Sequence, residues 1–301
     1  MSRGTRAVVM ATSLASVLLL TACAGAPAAG ETPAATAETG ELVFAMPPGT
    51  DDPDTLLQVD AVTAMIADAT GRSVKTENPA DYMAVVEAVR SGFVDVALMS
   101  QFSTALAIAN GSVSPLIVWE AETLPASVCL VPADSEIEQI SDFAGHQIAF
   151  VDPGSTTGHF MPKSMLAQNG LVDGEDYRST FAGGHDSAIL AMLNGSVDMA
   201  CTARQLYPMF LDAGMYTADE VRIVAETDPI PIGISIVVRN DLDEKTRQQL
   251  IDHLPEALMA DEGTFALFGG SNDYIVNPGA DVYAPLLQVA SDVGVDLEDM
   301  R

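Results

Sequence analysis

Glu87-Ala88-Val89-Arg90-Ser91-Gly92-Phe93-Val94-Asp95-Val96-Ala97 and Ala191-Met192-Leu193-Asn194-Gly195-Ser196-Val197-Asp198-Met199-Ala200 are two versions of one joint. In each, a helical run ends at a glycine, an aspartate follows, and a short apolar strand begins. Glycine just past a helix is the usual left-handed cap, so either copy alone says little. The repetition says more: the chain makes the same helix-to-strand joint twice, which points to two similarly built lobes. Outward from these joints, from Glu41 on, apolar strand-like runs alternate with helical segments, the pattern of an α/β fold with mainly parallel strands. Strands are predicted at Leu42–Ala45, Val94–Met99, Leu116–Trp119, Val128–Val131, Gln147–Phe150, Val197–Cys201, Val221–Ala225 and Ile234–Val238. Helices are predicted at Thr55–Thr70, Tyr82–Ser91, Thr104–Ala109, Gly158–Gln168, Ser187–Leu193, Ala203–Leu211, Glu244–His253 and Ala284–Ser291. One lobe is assigned to residues 41–119 and 227–301 and the other to 124–222, with two crossings near Glu120–Thr123 and Val224–Thr227. A ligand would lie between them, at strand C-termini and helix N-termini.

The N-terminus carries its own message. Arg3 and Arg6 precede an apolar stretch from Ala7 to Leu20, and Leu20-Thr21-Ala22-Cys23 follows. The stretch, about fourteen residues, is shorter than the roughly twenty that span a bilayer and fits a secretory signal peptide over residues 1–22. Leu-x-Ala-Cys is the lipobox pattern, in which the cysteine sulfur takes a diacylglycerol, so Cys23 is the expected lipidation site and first mature residue. Residues 23–40, a run of Ala, Gly, Pro, Thr and Glu with no large apolar side chain, read as a flexible tether from that anchor. The expected location is the outer face of the cytoplasmic membrane.

Acidic residues outnumber basic ones 42 to 13, a net charge of -29, which argues against nucleic acid or an anionic membrane surface as partner. It does not exclude an anionic ligand, because a buried anion site is governed by local amides and hydroxyls more than by distant, screened charge. Hydrophobic residues make up 48% of the 301, enough for a packed core. With Cys23 lipidated, Cys129 and Cys201 remain, and an exported chain with such a pair has either one disulfide or two buried thiols.

The sharpest local feature is Phe150-Val151-Asp152-Pro153-Gly154-Ser155-Thr156-Thr157-Gly158-His159, which follows a strand and opens a helix. A helix start leaves four amides unpaired and carries about half a positive charge, so it holds tetrahedral oxyanions without lysine or arginine. Capping the helix accounts for one hydroxyl such as Ser155; three in a row, flanked by glycines, favour anion binding. Ala182-Gly183-Gly184-His185-Asp186-Ser187 is a second glycine-rich turn before a helix, where His185 either donates to an oxyanion or is structural. Tyr82, at the start of its helix, either offers a phenol hydroxyl to the cleft or packs.

Three segments together resemble periplasmic phosphonate-binding proteins of the PhnD type: Asp81-Tyr82 with the joint ending at Ala97, Val151-Asp152-Pro153-x-Ser155-Thr156-Thr157-Gly158, and Ala182-Gly183-x-His185-Asp186. The resemblance covers roughly residues 41–245. It implies a type II periplasmic-binding-protein fold, two α/β lobes closing on the ligand by a two-crossover hinge. It also implies service to an ABC permease and ATPase, usually as a monomer, and a ligand whose phosphorus oxygens are held by Tyr82, Ser155, Thr156, Thr157 and His185. In relatives that bind aminoethylphosphonate, a tyrosine beside the hinge and two acidic residues surround the organic tail. Those places here hold Pro125, Gln205 and Ile234, and a buried ammonium with no carboxylate partner costs several kcal/mol. Gln101, Pro125, His159, Gln205 and Ile234 are the candidates for contact with the ligand's remainder, and Thr104 stands where many relatives have tyrosine. The expected cargo is therefore phosphite, phosphate or methylphosphonate rather than an amine-bearing phosphonate.

Two other classes compete. A hydrolase would use Ser155 or Thr156 as nucleophile and His185 as base, yet no Gly-x-Ser-x-Gly elbow or metal-spaced His/Cys cluster is present, and no cofactor or metal is called for. A sensory lipoprotein would have the same cleft and differ only in its partner.

Overall fold

The computed structural model describes residues 40–46, 53–120, 124–267 and 273–292. The signal peptide, Cys23 and all but the last residue of the tether lie outside the described residues. The first sheet is begun by β1 (Leu42–Ala45), α1 (Pro53–Thr70), β2 (Val74–Glu77), α2 (Tyr82–Arg90), β3 (Val96–Met99), α3 (Gln101–Ala109) and β4 (Val113–Trp119). The second is made by β5 (Ser127–Pro132), β6 (Gln147–Phe150), α4 (Met161–Gln168), β7 (Arg178–Phe181), α5 (His185–Leu193), β8 (Met199–Ala203), α6 (Leu206–Asp212) and β9 (Val221–Glu226). The chain then returns to the first with β10 (Ser235–Arg239), α7 (Glu244–Ala260), α8 (Glu262–Leu267), β11 (Tyr274–Val276) and α9 (Ala284–Asp292).

The strand orders, β11-β4-β10-β3-β1-β2 and β7-β6-β8-β5-β9, superimpose as topologies once β11 is set aside. The duplicated joint is what matches them. Gly92 and Gly195 take the left-handed conformation, at φ 73° and 76°. Asp95 then accepts the Val43 amide of β1 at 2.7 Å, and Asp198 accepts the Gln147 amide of β6 at 2.8 Å. Each aspartate thus locks the outgoing strand in register beside the strand it pairs with in parallel, β1 or β6. Arg239 adds an ion pair to Asp95 at 2.7 Å.

Several expectations need correction. The sheets are mixed: β1 pairs with β2 and β3, and β6 with β7 and β8, in parallel, but β10 and β5 run antiparallel to both neighbours. A strand that enters from the other lobe arrives in the opposite direction, which local patterning does not reveal. Strands β2, β7 and β11 escaped the sequence reading because they are edge strands with few buried side chains. Ala203 belongs to β8 and not to the following helix, which begins at Leu206. Helix α3 begins at Gln101, capped by Ser100. Helix α7 continues through Pro255 to Ala260, held by the buried stripe Leu250, Leu254 and Leu258.

Cys129 and Cys201 face each other across β5 and β8 and are joined by a disulfide, buried with Phe143, Ile148 and Phe150. The C-terminal segment packs inward: Tyr283, Leu286 and Ala290 share a core with Phe102 and Val118 of the first sheet's side and Phe160 and Met161 of the second's. Among the described residues no helix is long and apolar enough to cross a membrane.

Candidate functional site

The loop between β6 and α4 is built by its own hydrogen bonds. Asp152 accepts the Gly154 amide at 2.7 Å, and the Ser155 amide reaches back to the Asp152 carbonyl at 3.0 Å. Ser155 caps the following turn by accepting from the Gly158 amide at 3.1 Å. Residues Thr156–Phe160 form a π turn, with the Phe160 amide on the Ser155 carbonyl at 3.0 Å, before α4 begins. Gly158 is required by close approach, since a Cβ there would stand 2.1 Å from Val151 Cγ2.

The first sheet's helices press onto this loop. Ser100, the N-cap of α3, and Ser103, in its first turn, each donate to the Gly154 carbonyl at 2.9 Å. The Phe102 amide donates to Thr156 Oγ1 at 2.8 Å, and the Phe102 and Phe160 rings stack at 4.2 Å. From α2, the Met83 amide donates to the Asp152 carboxylate, while the Tyr82 and Ser155 hydroxyls hydrogen-bond each other. Tyr82 is buried in the second sheet's core beside Val128 and Val151. Burial raises its phenol to about 12, so it stays a neutral donor. On the far side, the Gly183 amide on the Val151 carbonyl at 2.7 Å pins the turn that opens α5 against the same loop.

Four helical starts, those of α2, α3, the π turn and α5, thus converge around residues 152–156. Each brings a partial positive charge, and the amides of Met83, Phe102, Gly158 and Gly183 are spent in tying the loop together. Burial lowers His185 to about 4, against the opposing pull of Asp186, so it is neutral at physiological pH. Asp152, nearly inaccessible, is pushed by burial up to about 6, assisted by the charge of Asp81 and opposed by its two amide donors.

The structure therefore brings Tyr82, Ser155 and Thr156 together, and Gln101, buried at the start of α3, precedes Phe102, whose amide reaches Thr156. Thr157 is half-buried and makes no side-chain hydrogen bond to the described residues. His185 hydrogen-bonds Thr202 Oγ1 at 3.0 Å and not Ser155, so no nucleophile–base pair forms. His159 turns to Pro153, with Nδ1 at 3.1 Å from its carbonyl, and lies edge-on to Phe150 and Phe181. Gln205 is exposed, Pro125 half-buried, and Ile234 packs against the first sheet's core. Sequence reasoning missed Asp152, Ser100 and Ser103. An aspartate two residues before a glycine and a serine before a helix signal a turn and a cap, and only the fold shows that these turns meet.

The family model described as ABC transporter, phosphonate, periplasmic substrate-binding protein matches residues 44–270. The chain belongs to this family. The "Phosphate-import protein PhnD" of Mycolicibacterium smegmatis is 34% identical over 206 residues, covering 63% of each chain. The "Phosphonates-binding periplasmic protein" of Escherichia coli is 27% identical over 180 residues, 57% of this chain and 53% of that one. The alignments thus span less than two thirds of those relatives. Among solved structures, a binding protein component of an ABC phosphonate transporter from Pseudomonas aeruginosa matches with a TM-score of 0.73 at 18% identity, covering 85% of this chain and 87% of that one. PhnD1 from Prochlorococcus marinus, solved with methylphosphonate, matches with a TM-score of 0.70 at 16% identity, covering 85% and 99%. These structures share the fold of the family member described here, and the relatives are substrate-binding components of transporters, not enzymes.

Proposed function

We propose that the protein is a lipid-anchored extracytoplasmic solute-binding protein that captures a small phosphorus oxyanion and delivers it to an ABC permease and its ATPase. The observation that carries this reading is the convergence of four helical starts on one hydroxyl-rich loop with no lysine or arginine in it. Such a site satisfies a tetrahedral oxyanion through amide and hydroxyl donors, which suits a ligand that must later be released. In this reading Tyr82, Ser155, Thr156, Thr157 and His185 hold the phosphorus oxygens. Thr156 Oγ1 accepts from the Phe102 amide, a bond that orients the hydroxyl so that its own proton is donated to the ligand.

The ligand's remainder is small and neutral. Gln205, Pro125 and Ile234 supply no carboxylate, and Asp152, the buried carboxylate of the loop among the described residues, already accepts two amides. Phosphite, phosphate or methylphosphonate fits better than an amine-bearing phosphonate. Export and anchoring rest on Leu20–Cys23. Intact mass measurement of membrane-extracted protein should show a diacylglyceryl-modified Cys23 as first residue; an unmodified or uncleaved N-terminus would refute the anchor. Calorimetric titration with the three small oxyanions and with aminoethylphosphonate tests the ligand. Saturable binding of at least one of the former and not the latter is expected, and the reverse would overturn the ligand choice.

A further inference from the structure

A cleft that holds an anion must balance its charge, and here the balance is unusual. The groups acting electrostatically on the loop are Asp152 itself, Asp81 at the N-cap of α2, and the neutral phenol of Tyr82. On the neighbouring elements stand His159 in the π turn and His185 and Asp186 at the start of α5, both imidazoles neutral because burial lowers them to about 4. Lys163 of α4 is drawn toward Asp173, 3.9 Å away, and Arg204 is paired with Glu226. Among the described residues no cation acts on Asp152, while that side chain is 5% exposed and lies within electrostatic reach of Tyr82. An oxyanion entering beside Tyr82 and Ser155 meets a buried carboxylate of its own sign.

We propose that Asp152 limits the charge the cleft can hold, so that the oxyanion is bound in its singly charged form and a dianion is taken up only together with one proton. This rests on the phosphorus-oxyanion reading above. The amide and hydroxyl donors neutralise one negative charge well, but a second one, confined in low dielectric beside Asp152, has no counter-charge. The proton comes from the ligand's own P–OH or from solvent, and it resides on the ligand or on Asp152; the net charge enclosed is the same either way. Asp152 is thus a specificity-determining residue that also shapes the loop.

The test is calorimetry of the full protein with methylphosphonate across the ligand's second ionisation, repeated in buffers of different ionisation heat. Affinity should fall about tenfold per pH unit once the ligand is a dianion, with one proton taken up per ligand bound. Constant or rising affinity with no proton uptake overturns the proposal. Sulfate, permanently dianionic in this range, should bind far more weakly than methylphosphonate, and equal binding likewise overturns it. Asp152→Asn keeps an acceptor for the Gly154 amide and should flatten the pH dependence. A folded Asp152→Asn protein with an unchanged slope assigns the selectivity elsewhere; if that variant does not fold, the proton count on the unaltered protein decides. Absence of binding by any phosphorus oxyanion at any pH would instead refute the proposed function, which keeps the two failures distinguishable.

Discussion

At Gly154 the two halves of the molecule are in direct contact, and a single methyl group there should act as a wedge. A Cβ at this position would stand 2.9 Å from Ser103 Oγ and 2.9 Å from Tyr82 Cβ, both contributed by the opposite side of the cleft. The hydroxyl can rotate away, but Tyr82 Cβ is fixed to the backbone of α2. Its own loop offers one near contact, Asp152 Oδ1 at 3.2 Å, and Gly154 is not in a left-handed conformation, so alanine is tolerated by the local backbone. Overpacking of this kind costs about 1–3 kcal/mol. If the sides close on ligand and part without it, the cost falls only on the closed form, and affinity weakens roughly 5–150-fold. Titration calorimetry of Gly154→Ala reads the affinity, and a thermal scan without ligand reads the stability. The expected result is weaker binding with a melting temperature close to that of the unaltered protein. Unchanged affinity would refute the wedge, and a fall in stability matching the fall in affinity would place the damage inside the loop.

Gly158→Ala is the contrasting case: its Cβ clashes with Val151 within the same loop, so stability and binding should drop together in the same two assays. Removing the disulfide by Cys129→Ser with Cys201→Ser opens a 72-residue loop and should cost about 4 kcal/mol by chain entropy, measured by denaturant unfolding. The stability of the ligand-free protein should rise with pH between about 4 and 6.5. His159 and His185, lowered to about 4 from 6.5, bind more protons unfolded than folded across that window, and their stabilisation is lost as pH falls through it. Asp152, raised to about 6, works in the opposite direction, so Asp152→Asn should steepen the rise seen in thermal scans.

The duplicated joint made the two-lobed plan legible, because a glycine cap and an aspartate three residues later are local features that survive in the fold as Asp95 on Val43 and Asp198 on Gln147. The direction of β5 and β10 was not legible, since it is set by chain crossing and not by residue pattern. The hydroxyl triplet could be read as a candidate site because its residues are adjacent in sequence at a helix start. Its partners were not, because Ser100, Ser103 and Met83 reach the loop from some fifty to seventy positions away.

The same distinction separates two kinds of specificity in the cleft. In the proposed reading, exclusion of an amine-bearing ligand follows from the absence of a carboxylate at Pro125, Gln205 and Ile234, and these positions can be compared one by one with relatives. Exclusion of a second negative charge depends on Asp152, whose sequence context says only that it turns the chain. Its influence arises from its burial and from the neutrality of two imidazoles on neighbouring elements. Relatives with the same loop sequence therefore need not share its charge preference. A lysine or arginine brought against the loop from either sheet would change it without altering any residue that touches the ligand.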